Sequence, residues 1–461
     1  MNDRDRDLAR LEEARQDALG EGVERNLPAG SLAPRTRIHH FVDADSFVEI
    51  GQLATSQQLG LDCPTPADGI ITGFAKVRGR HVAIVADDPV VLASTDGQVG
   101  KAKRRRMLKL ALQEGIPVVL LLDEPAGAPP VFDPLSGDMF GKLADQHDDP
   151  DLRTRRAPVI SVAFSALRGQ RLELALSSDI VIGTSGAIGS VQGVVPDFVA
   201  DTDGEALAQV VTALDLLSGT RGAAVAREER VPPAHEGCDL DDVTGLALVA
   251  ALVDDGDTLV VTPGPGETLT AGLVRMGGFP HVVTATGCAP GQALVAADVR
   301  RLHRAVGWSR RWLLPLLVIQ DCPGYDAALT DDPEVARLVN EVVERLRSSH
   351  APIVVLVVGD GHVLGTYCLG GRQLAPTFVG AWPWARLPVT DPPRYEHDVL
   401  SPIRQADPWL AAGLGMIDEI MLPEETGPFL RWLAELFHEG GRLPPHPEEH
   451  RWYARGSIKG V

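Results

Sequence analysis

The sequence predicts an α/β protein made of two tandem homologous domains. Two observations predict this fold. Apolar segments of strand length alternate with amphipathic helical segments, and the order of these segments in the first half of the chain recurs in the second half. The chain has 461 residues, of which 44% are hydrophobic and 23% are charged. This composition is typical of a globular protein that is long enough for more than one core.

The charge balance bears on the class of partner. There are 43 Lys and Arg residues against 63 Asp and Glu residues, which gives a formal net charge of −20. Nucleic acids and anionic membranes both bind positive surfaces, because basic side chains replace their counterions. The composition therefore argues against nucleic acid or a membrane as the main partner.

Cysteine usage and the N-terminus indicate the compartment. The five cysteines are far apart and never spaced as C-x-x-C, so neither a disulfide framework nor a zinc site is expected. The N-terminus, MNDRDRDLARLEEARQ, is charged and lacks the apolar core of a signal peptide, and no apolar run is long enough to span a membrane. We expect a cytoplasmic protein that holds no metal.

The duplication is visible in strands, helices and prolines. Each half contains two short strands around a Gly-bearing turn, GFAKVRGRHVAIVADDP and GLVRMGGFPHVVTATGCAP. An amphipathic helix follows, at about 97–113 and 293–310, and then an apolar strand, IPVVLLLDEPAGA or LPLLVIQDCPGY. Pro117 and Pro315 are 198 residues apart (315 − 117). The register is therefore the same in both halves.

A third pair of segments completes the repeat and sets the domain boundaries. APVISVAFSALRGQRLELAL is matched by APIVVLVVGDGHVLGTYCLG, each a buried strand, a Gly-bearing turn and a helix. A polar segment with a Pro-Pro pair separates the halves, and PEETGPFLRWLAELFHE reads as a closing helix. We expect five parts: an N-terminal helical segment (1–44), a first domain (45–225), a linker (226–254), a second domain (255–440) and a C-terminal tail (441–461).

The repeated turns carry the candidate chemistry. A helix N-terminus presents backbone N–H groups and the positive end of a dipole, and such a turn can hold an oxyanion. In the first half the candidate donors are the amides of Arg168, Gly169 and Gln170, and in the second half those of Gly365 and Thr366. The alternative is that both glycines only permit tight strand-to-helix packing.

With these turns in place, the sequence resembles the carboxyltransferase (β) subunit family of biotin-dependent acyl-CoA carboxylases, of the propionyl-CoA and acetyl-CoA carboxylase type. The matching segments, in order, are LAPRTRIHHFVDADSFVEIGQLAT, DGIITGFAKVRGRHVAIVADD, VIQDCPGY and DPWLAAGLGMIDEIMLPEET. The resemblance implies two tandem domains of the ClpP/crotonase type, each a ββα superhelix.

The same resemblance implies an activity. The first half would hold an acyl-CoA and its turn would stabilise the thioester enolate, while the second half would bind carboxybiotin. Carboxylate would move from the biotin nitrogen to the α-carbon across a dimer interface. Partners would be a biotin carboxylase and a biotin carboxyl carrier, because this chain lacks an Ala/Val-Met-Lys-Met biotinylation signal. A homo-oligomer, either dimer or hexamer, is also implied.

The first turn departs from the family pattern. Where the family has Gly-Gly-Ala, this chain has Arg168, Gly169 and Gln170, with Arg171 behind. The long side chains either narrow the thioester pocket or, through Arg168 or Arg171, meet a carboxylate or phosphate of an unusual substrate. An arginine that points into solvent is the third alternative.

The second turn keeps the pattern better. The family's Gly-Gly-Ala-Tyr is matched by Leu364, Gly365, Thr366 and Tyr367, and Cys368 follows where the family faces the acyl chain. By resemblance, Gly365 and Thr366 are assigned to biotin, and Tyr367 and Cys368 to the substrate. Cys368 is alternatively a small buried hydrophobe.

Three other segments depart from the family. Its Asp-Ser-Gly-Gly-Ala-Arg segment is replaced by DEPAGA at 123–128, so the arginine is lost. The stretch beyond GSVQGVVP is short, and LPVTDPPRYEHDV replaces a Met-Gly-rich segment. These departures leave three functions open: biotin-dependent carboxyl transfer, biotin-independent decarboxylation of a malonyl-type thioester, and a catalytically inactive homologue with a structural or regulatory role.

Two further motifs have competing explanations. The basic cluster at 101–106 is either a solvated helix face or a contact for CoA phosphates. The segment His446-x-x-Glu449-His450 matches an inverted zinc-protease pattern, but Pro445 and Pro447 break the helix that such a site needs, so we treat it as coincidence.

Overall fold

The computed structural model describes residues 3–19, 30–56, 65–89, 91, 98–124, 157–185, 196–218, 243–256, 258–288, 291–322, 324, 329, 331–361, 369, 371, 374–387 and 407–439. The chain divides into two units, Met1–Leu214 and Asp215–Val461. Among the described residues, no helix combines the length and apolar character needed to cross a membrane.

The first unit is built on a seven-stranded sheet in which spatial neighbours are also sequence neighbours. Its strands are β1 Val48–Glu49, β2 Ile70–Val77, β3 Arg80–Asp87, β4 Val118–Leu122, β5 Val159–Ala163, β6 Ile180–Thr184 and β7 Phe198–Ala200. The β1–β2 and β2–β3 pairs are antiparallel and the pairs from β3 to β7 are parallel. The described helices are α1 Asp3–Leu19, α2 Pro34–Phe41, α3 Gln98–Glu114, α4 Gly169–Leu176 and α5 Asp203–Ser218, with a 3-10 turn at Pro66–Gly69. Helix α5 continues past Leu214, the last residue of this unit.

The second sheet repeats this topology strand for strand. Its strands are β8 Leu259–Val260, β9 Thr270–Met276, β10 Phe279–Ala285, β11 Leu316–Cys322, β12 Ile353–Gly361, β13 Phe378–Ala381 and β14 Glu419–Ile420. The described helices are α6 Gly245–Leu252, α7 Ala296–Trp312, α8 Pro333–Arg347, α9 Pro408–Gly413 and α10 Pro423–Glu439. The predicted duplication is confirmed, and α3, α7 and α10 lie within three residues of the predicted helices.

Hydrogen bonds show that the register of the repeat is also shared. In the first sheet the N–H of Ala83 donates to Pro117 O at 2.8 Å, and in the second the N–H of Val282 donates to Pro315 O at 2.9 Å. The two prolines therefore occupy the same position, immediately before the central parallel strand. That strand is apolar because helices cover both faces of a parallel sheet, and all five residues of β4 are buried.

Part of the predicted linker belongs to the second unit. Within 226–254, residues 245–252 form α6, and its Leu248, Val249 and Leu252 are buried in the second core. The segment GLALVAAL is apolar on all sides, so only a position inside a core removes that surface from water. The linker prediction is therefore wrong for these residues.

In each unit a long helix, α3 or α7, is hydrogen-bonded to the start of a neighbouring strand or to the residues just before it. Asp68 Oδ2 accepts the N–H of Gly100 at 2.7 Å, and Lys103 Nζ donates to Ile70 O at 2.8 Å. In the second unit Asp298 on α7 accepts the N–H of Leu269 at 3.1 Å. Burial lowers the pKa of Lys103 to about 8. Lys103 is thus part of the helix-to-strand contact, so the basic cluster is not simply a solvated face.

A buried histidine in the second unit makes stability depend on pH. His281 is 3% exposed, and burial lowers its pKa to about 4, although the Phe279 carbonyl 2.8 Å from Nδ1 opposes this. Between pH 6.5 and 4 the unfolded chain binds a proton that the folded chain does not, so stability falls as the pH falls. The loss reaches about 3 kcal/mol near pH 4.

We expect His281→Leu to remove this contribution. Urea unfolding at pH 7 and pH 4 should show a smaller loss of unfolding free energy in the variant than in the wild type, by about 3 kcal/mol. Since every other titrating group is common to both proteins, the difference isolates His281. Equal losses in the two proteins would show that His281 does not titrate in this way.

Candidate active site

The turn between β5 and α4 depends on a glycine for its backbone conformation. Arg168 is extended (φ −138°, ψ 164°), and Gly169, the first residue of α4, has φ +49°. Residues with a Cβ pay about 1–2 kcal/mol in this left-handed region. Among the residues that the structure describes, no atom lies within 4 Å of the position of a Cβ at Gly169. The described part of the chain therefore gives no support to the tight-packing explanation of Gly169.

The turn places backbone donors at the positive end of a helix. The first hydrogen bond inside α4 runs from the N–H of Leu172 to Arg168 O at 3.3 Å. Gly169 lies before that bond, and no hydrogen bond from its N–H is found among the residues that the structure describes. A negative ligand at this position would be stabilised by the helix dipole and by the amide.

One predicted donor already holds a carboxylate. The N–H of Arg168 donates to Glu124 Oε1 at 3.0 Å. The main chain of Glu124 is held in turn by Ser165, whose Oγ accepts the Glu124 N–H at 2.6 Å. Glu124 follows β4 and Ser165 follows β5, so the two strand ends are tied together beside the turn.

Arg171 is neutralised within the protein. Its Nε donates to Asp87 Oδ2 at 2.9 Å, and its Nη1 lies 3.7 Å from Glu124 Oε2. Asp87 is 2% exposed and also accepts the N–H of Asp123 at 3.2 Å. A substrate anion would meet an Arg171 that already has a buried partner. The Arg168 side chain is exposed, as the solvated alternative describes, and its role in substrate binding stays a prediction.

Gln170 is anchored by the neighbouring helix. Arg104 on α3 is 3% exposed, and its Nη2 donates to Gln170 Oε1. The Gln170 side chain is therefore directed towards α3, and only its backbone amide remains a candidate donor at the turn. This contact also shows that a second member of the basic cluster is internal.

A buried ion triad contacts the residues that follow β4 and β5. Arg37 on α2 is 2% exposed; its Nη1 donates to Asp123 Oδ2 at 2.8 Å and its Nε to Asp203 Oδ2 at 2.9 Å. Its Cζ lies 3.7 Å from the centroid of the Phe164 ring. Asp123 directly follows β4, and Phe164 directly follows β5. Sequence reasoning missed Arg37, because partners 86 and 166 residues away leave no local pattern.

In the second half the structure describes the approach to the turn. Asp321, the penultimate residue of β11, accepts the N–H of Asp360 at 2.9 Å, and its own N–H donates to Thr286 Oγ1 at 2.8 Å. A Cβ at Gly359 would lie 2.2 Å from Asp321 Oδ1, so only glycine fits there. Asp360 is paired with Arg386, with Nε and Oδ1 2.6 Å apart.

Several predicted features lie outside the described residues. They are Leu364, Gly365, Thr366, Tyr367 and Cys368 of the second turn, residues 125–128, most of GSVQGVVP, most of LPVTDPPRYEHDV, and the His446–His450 motif. The structure therefore brings together the first-turn residues, and the second-turn assignments stay predictions. Within the described part of the chain, no cluster of three or more His, Cys, Asp or Glu side chains could hold a metal ion.

The chain matches the family model of the carboxyl transferase domain over residues 25–148 and 181–394. Both sheets therefore contribute to the match. The first turn, at 168–171, lies between the two matched segments, in agreement with its departure from the Gly-Gly-Ala pattern.

Curated relatives show the same resemblance. The β1 subunit of the biotin-dependent 3-methylcrotonyl-coenzyme A carboxylase of Mycobacterium tuberculosis is 26% identical over 407 residues, which cover 79% of this chain and 75% of the relative. The β4 subunit of the biotin-dependent long-chain acyl-coenzyme A carboxylase of the same organism is 24% identical, with 93% of each chain covered.

A solved structure confirms the fold. The transcarboxylase 12S structure with methylmalonyl-coenzyme A and methylmalonic acid bound, described as a hexamer assembly, superposes with a TM-score of 0.79. The alignment covers 97% of this chain and 98% of that chain at 21% sequence identity. The predicted tandem crotonase-like architecture is thereby confirmed.

Proposed function

Because the chain belongs to the carboxyl transferase domain family, we propose that it transfers a carboxylate group from carboxybiotin to the α-carbon of an acyl-CoA thioester. The observation that carries this proposal on the acyl side is the turn at Gly169, which begins a helix and where no described atom lies within 4 Å of the position of a Cβ. The match to the family over both halves of the chain supports it as well.

The turn suits enolate chemistry. Loss of a proton next to a thioester carbonyl places negative charge on the carbonyl oxygen, and backbone N–H donors stabilise that charge without any ionisable protein group. The Gly169 amide at the start of α4 would donate to this oxygen, and the contacts of Gln170 with Arg104 and of Arg171 with Asp87 would hold the turn rigid. A rigid donor needs no reorganisation when charge develops.

The role of the second half and the partner proteins are proposed from membership of the family. Carboxybiotin, carried on a separate protein, supplies the activated carboxylate. The turn that would receive it lies outside the described residues, whereas Asp321 and Asp360 hold the strand ends that lead into it. We include a biotin carboxylase and a biotin carboxyl carrier as partners.

A single-protein assay tests the reaction in reverse. Purified protein is incubated with malonyl-CoA or methylmalonyl-CoA, with and without biocytin as carboxylate acceptor. We expect acetyl-CoA or propionyl-CoA to form only when biocytin is present. Release of carbon dioxide without biocytin would instead indicate the biotin-independent decarboxylase, and no turnover with either thioester would favour the inactive homologue.

Assembly and location complete the proposal. The transcarboxylase 12S structure is a hexamer assembly, and we propose a homo-oligomer for this chain. Exposed apolar side chains in the second unit, namely Trp409, Leu414, Trp432 and Leu436, are surface that an interface would cover. Light scattering on the purified protein measures the oligomer size.

A cytoplasmic location is proposed because Cys288 and Cys322 are free thiols and disulfides are rare in the reducing cytoplasm.

A further inference from the structure

We propose that Glu124 is an internal ligand of the first turn and that an acyl thioester binds there only by displacing its carboxylate. The effect on acyl-CoA binding rests on the proposed function, whereas the contact itself does not. Glu124 would then set the affinity of the acyl site.

The geometry is that of a bound anion. Glu124 Oε1 accepts the N–H of Arg168 at 3.0 Å, immediately before α4 begins, and Oε2 lies 3.7 Å from Arg171 Nη1. The main chain of Glu124 is fixed by its 2.6 Å hydrogen bond to Ser165. The chain therefore fills part of its own anion-binding turn with one of its own carboxylates.

This carboxylate opposes an incoming oxyanion in two ways. It occupies one of the three predicted donors, the Arg168 amide, and it places a negative charge beside the next donor, the Gly169 amide. An enolate oxygen at Gly169 would be repelled by that charge, because like charges at short distance in a partly buried site are weakly screened.

The carboxylate is also able to leave. The Glu124 side chain is 22% exposed, so rotation brings it into water. Arg171 keeps its contact with Asp87, which is 2% exposed, so the departure of Glu124 leaves no buried cation without a partner.

Calorimetric titration with propionyl-CoA tests the effect on the acyl site. Glu124→Ala should bind about tenfold more tightly than the wild type or better, because an opposing charge has been removed. Glu124→Gln keeps an acceptor for the Arg168 amide but loses the charge, so its affinity should be intermediate. Glu173→Gln changes an exposed glutamate on α4, the helix that follows the turn; it is the matched control and should bind like the wild type.

A second measurement, with sodium acetate as probe, does not depend on acyl-CoA. In Glu124→Ala an acetate ion can take the place of the missing carboxylate, so 100 mM acetate should raise the Tm of this variant by about 1–2 °C relative to 100 mM chloride. The wild type and Glu173→Gln should show no such difference.

The two measurements separate the outcomes. An acetate effect confined to Glu124→Ala, with no acyl-CoA binding to any protein, supports the internal ligand and contradicts the proposed function. Equal acyl-CoA affinity in the wild type and both Glu124 variants, with no acetate effect, overturns the internal ligand and leaves the proposed function standing. If Glu124→Ala lost stability and gained neither acyl-CoA affinity nor a higher Tm in acetate, Glu124 would be only a structural cap of the turn. That result would also overturn the proposal.

Discussion

Replacement of Arg37 by methionine is expected to lower the free energy of unfolding by about 3–5 kcal/mol, because removal of one partner from a buried ion cluster leaves uncompensated charge. Two carboxylates, Asp123 and Asp203, depend on this guanidinium. The guanidinium also lies over the ring of Phe164. Urea unfolding followed by circular dichroism measures the change.

Two variants make this expectation specific. Arg6→Met removes an arginine that is 67% exposed and paired with Asp3 on the surface of α1, and it should cost no more than about 1 kcal/mol. Adding Asp203→Asn to Arg37→Met should recover part of the loss, since one buried charge is then removed. A loss at Arg37 no larger than that at Arg6 would show that the triad is not important for stability.

Replacement of Gly169 by valine is expected to reduce carboxyl transfer by about 100-fold or more, because the valine side chain would enter the space that the thioester needs beside the turn. Loss of a single oxyanion-hole donor has an effect of this size. The free energy of unfolding should fall by only about 1–2 kcal/mol, since the cost is that of a left-handed conformation and not of a steric clash. Gly169 has φ +49°, and no atom of the described residues lies within 4 Å of the position of a Cβ there. Turnover with malonyl-CoA and biocytin, beside urea unfolding, gives both quantities.

Gly115 provides the matched control. It follows α3 with φ +68°, and there too no atom in the described part of the chain lies within 4 Å of the position of a Cβ. Gly115→Val should therefore lose similar stability while keeping its turnover. If Gly169→Val and Gly115→Val lost turnover equally, or if Gly169→Val remained fully active, the turn at Gly169 would not be the site of the chemistry.

The architecture could be predicted from the sequence because its signals are local. Proline at 117 and 315, apolar strands and amphipathic helices recur in one order, and the hydrogen bonds to those prolines show the same register. The closing helix, Pro423–Glu439, was predicted to the residue from its composition. Helix α6 was missed because its segment is apolar on all sides. It therefore shows neither the 3.6-residue period of an amphipathic helix nor the two-residue period of a half-buried strand.

The site could be predicted only in part. The position of the Gly169 turn follows from a strand, a glycine and a helix in sequence. The contact of Glu124 with the Arg168 amide does not, since 44 residues separate them. The pairing of Arg171 with Asp87 spans 84 residues and is likewise invisible in one sequence.

The sequence by itself therefore determined the duplication, the order of strands and helices and the place of the first turn, because hydrophobic periodicity and the backbone limits of proline and glycine act between neighbours. Only the tertiary structure decided which charges meet. Parallel strands bring their C-terminal ends to one edge of the sheet. At this edge Asp87 and Glu124 both lie close to Arg171, and their positions along the chain do not predict these contacts.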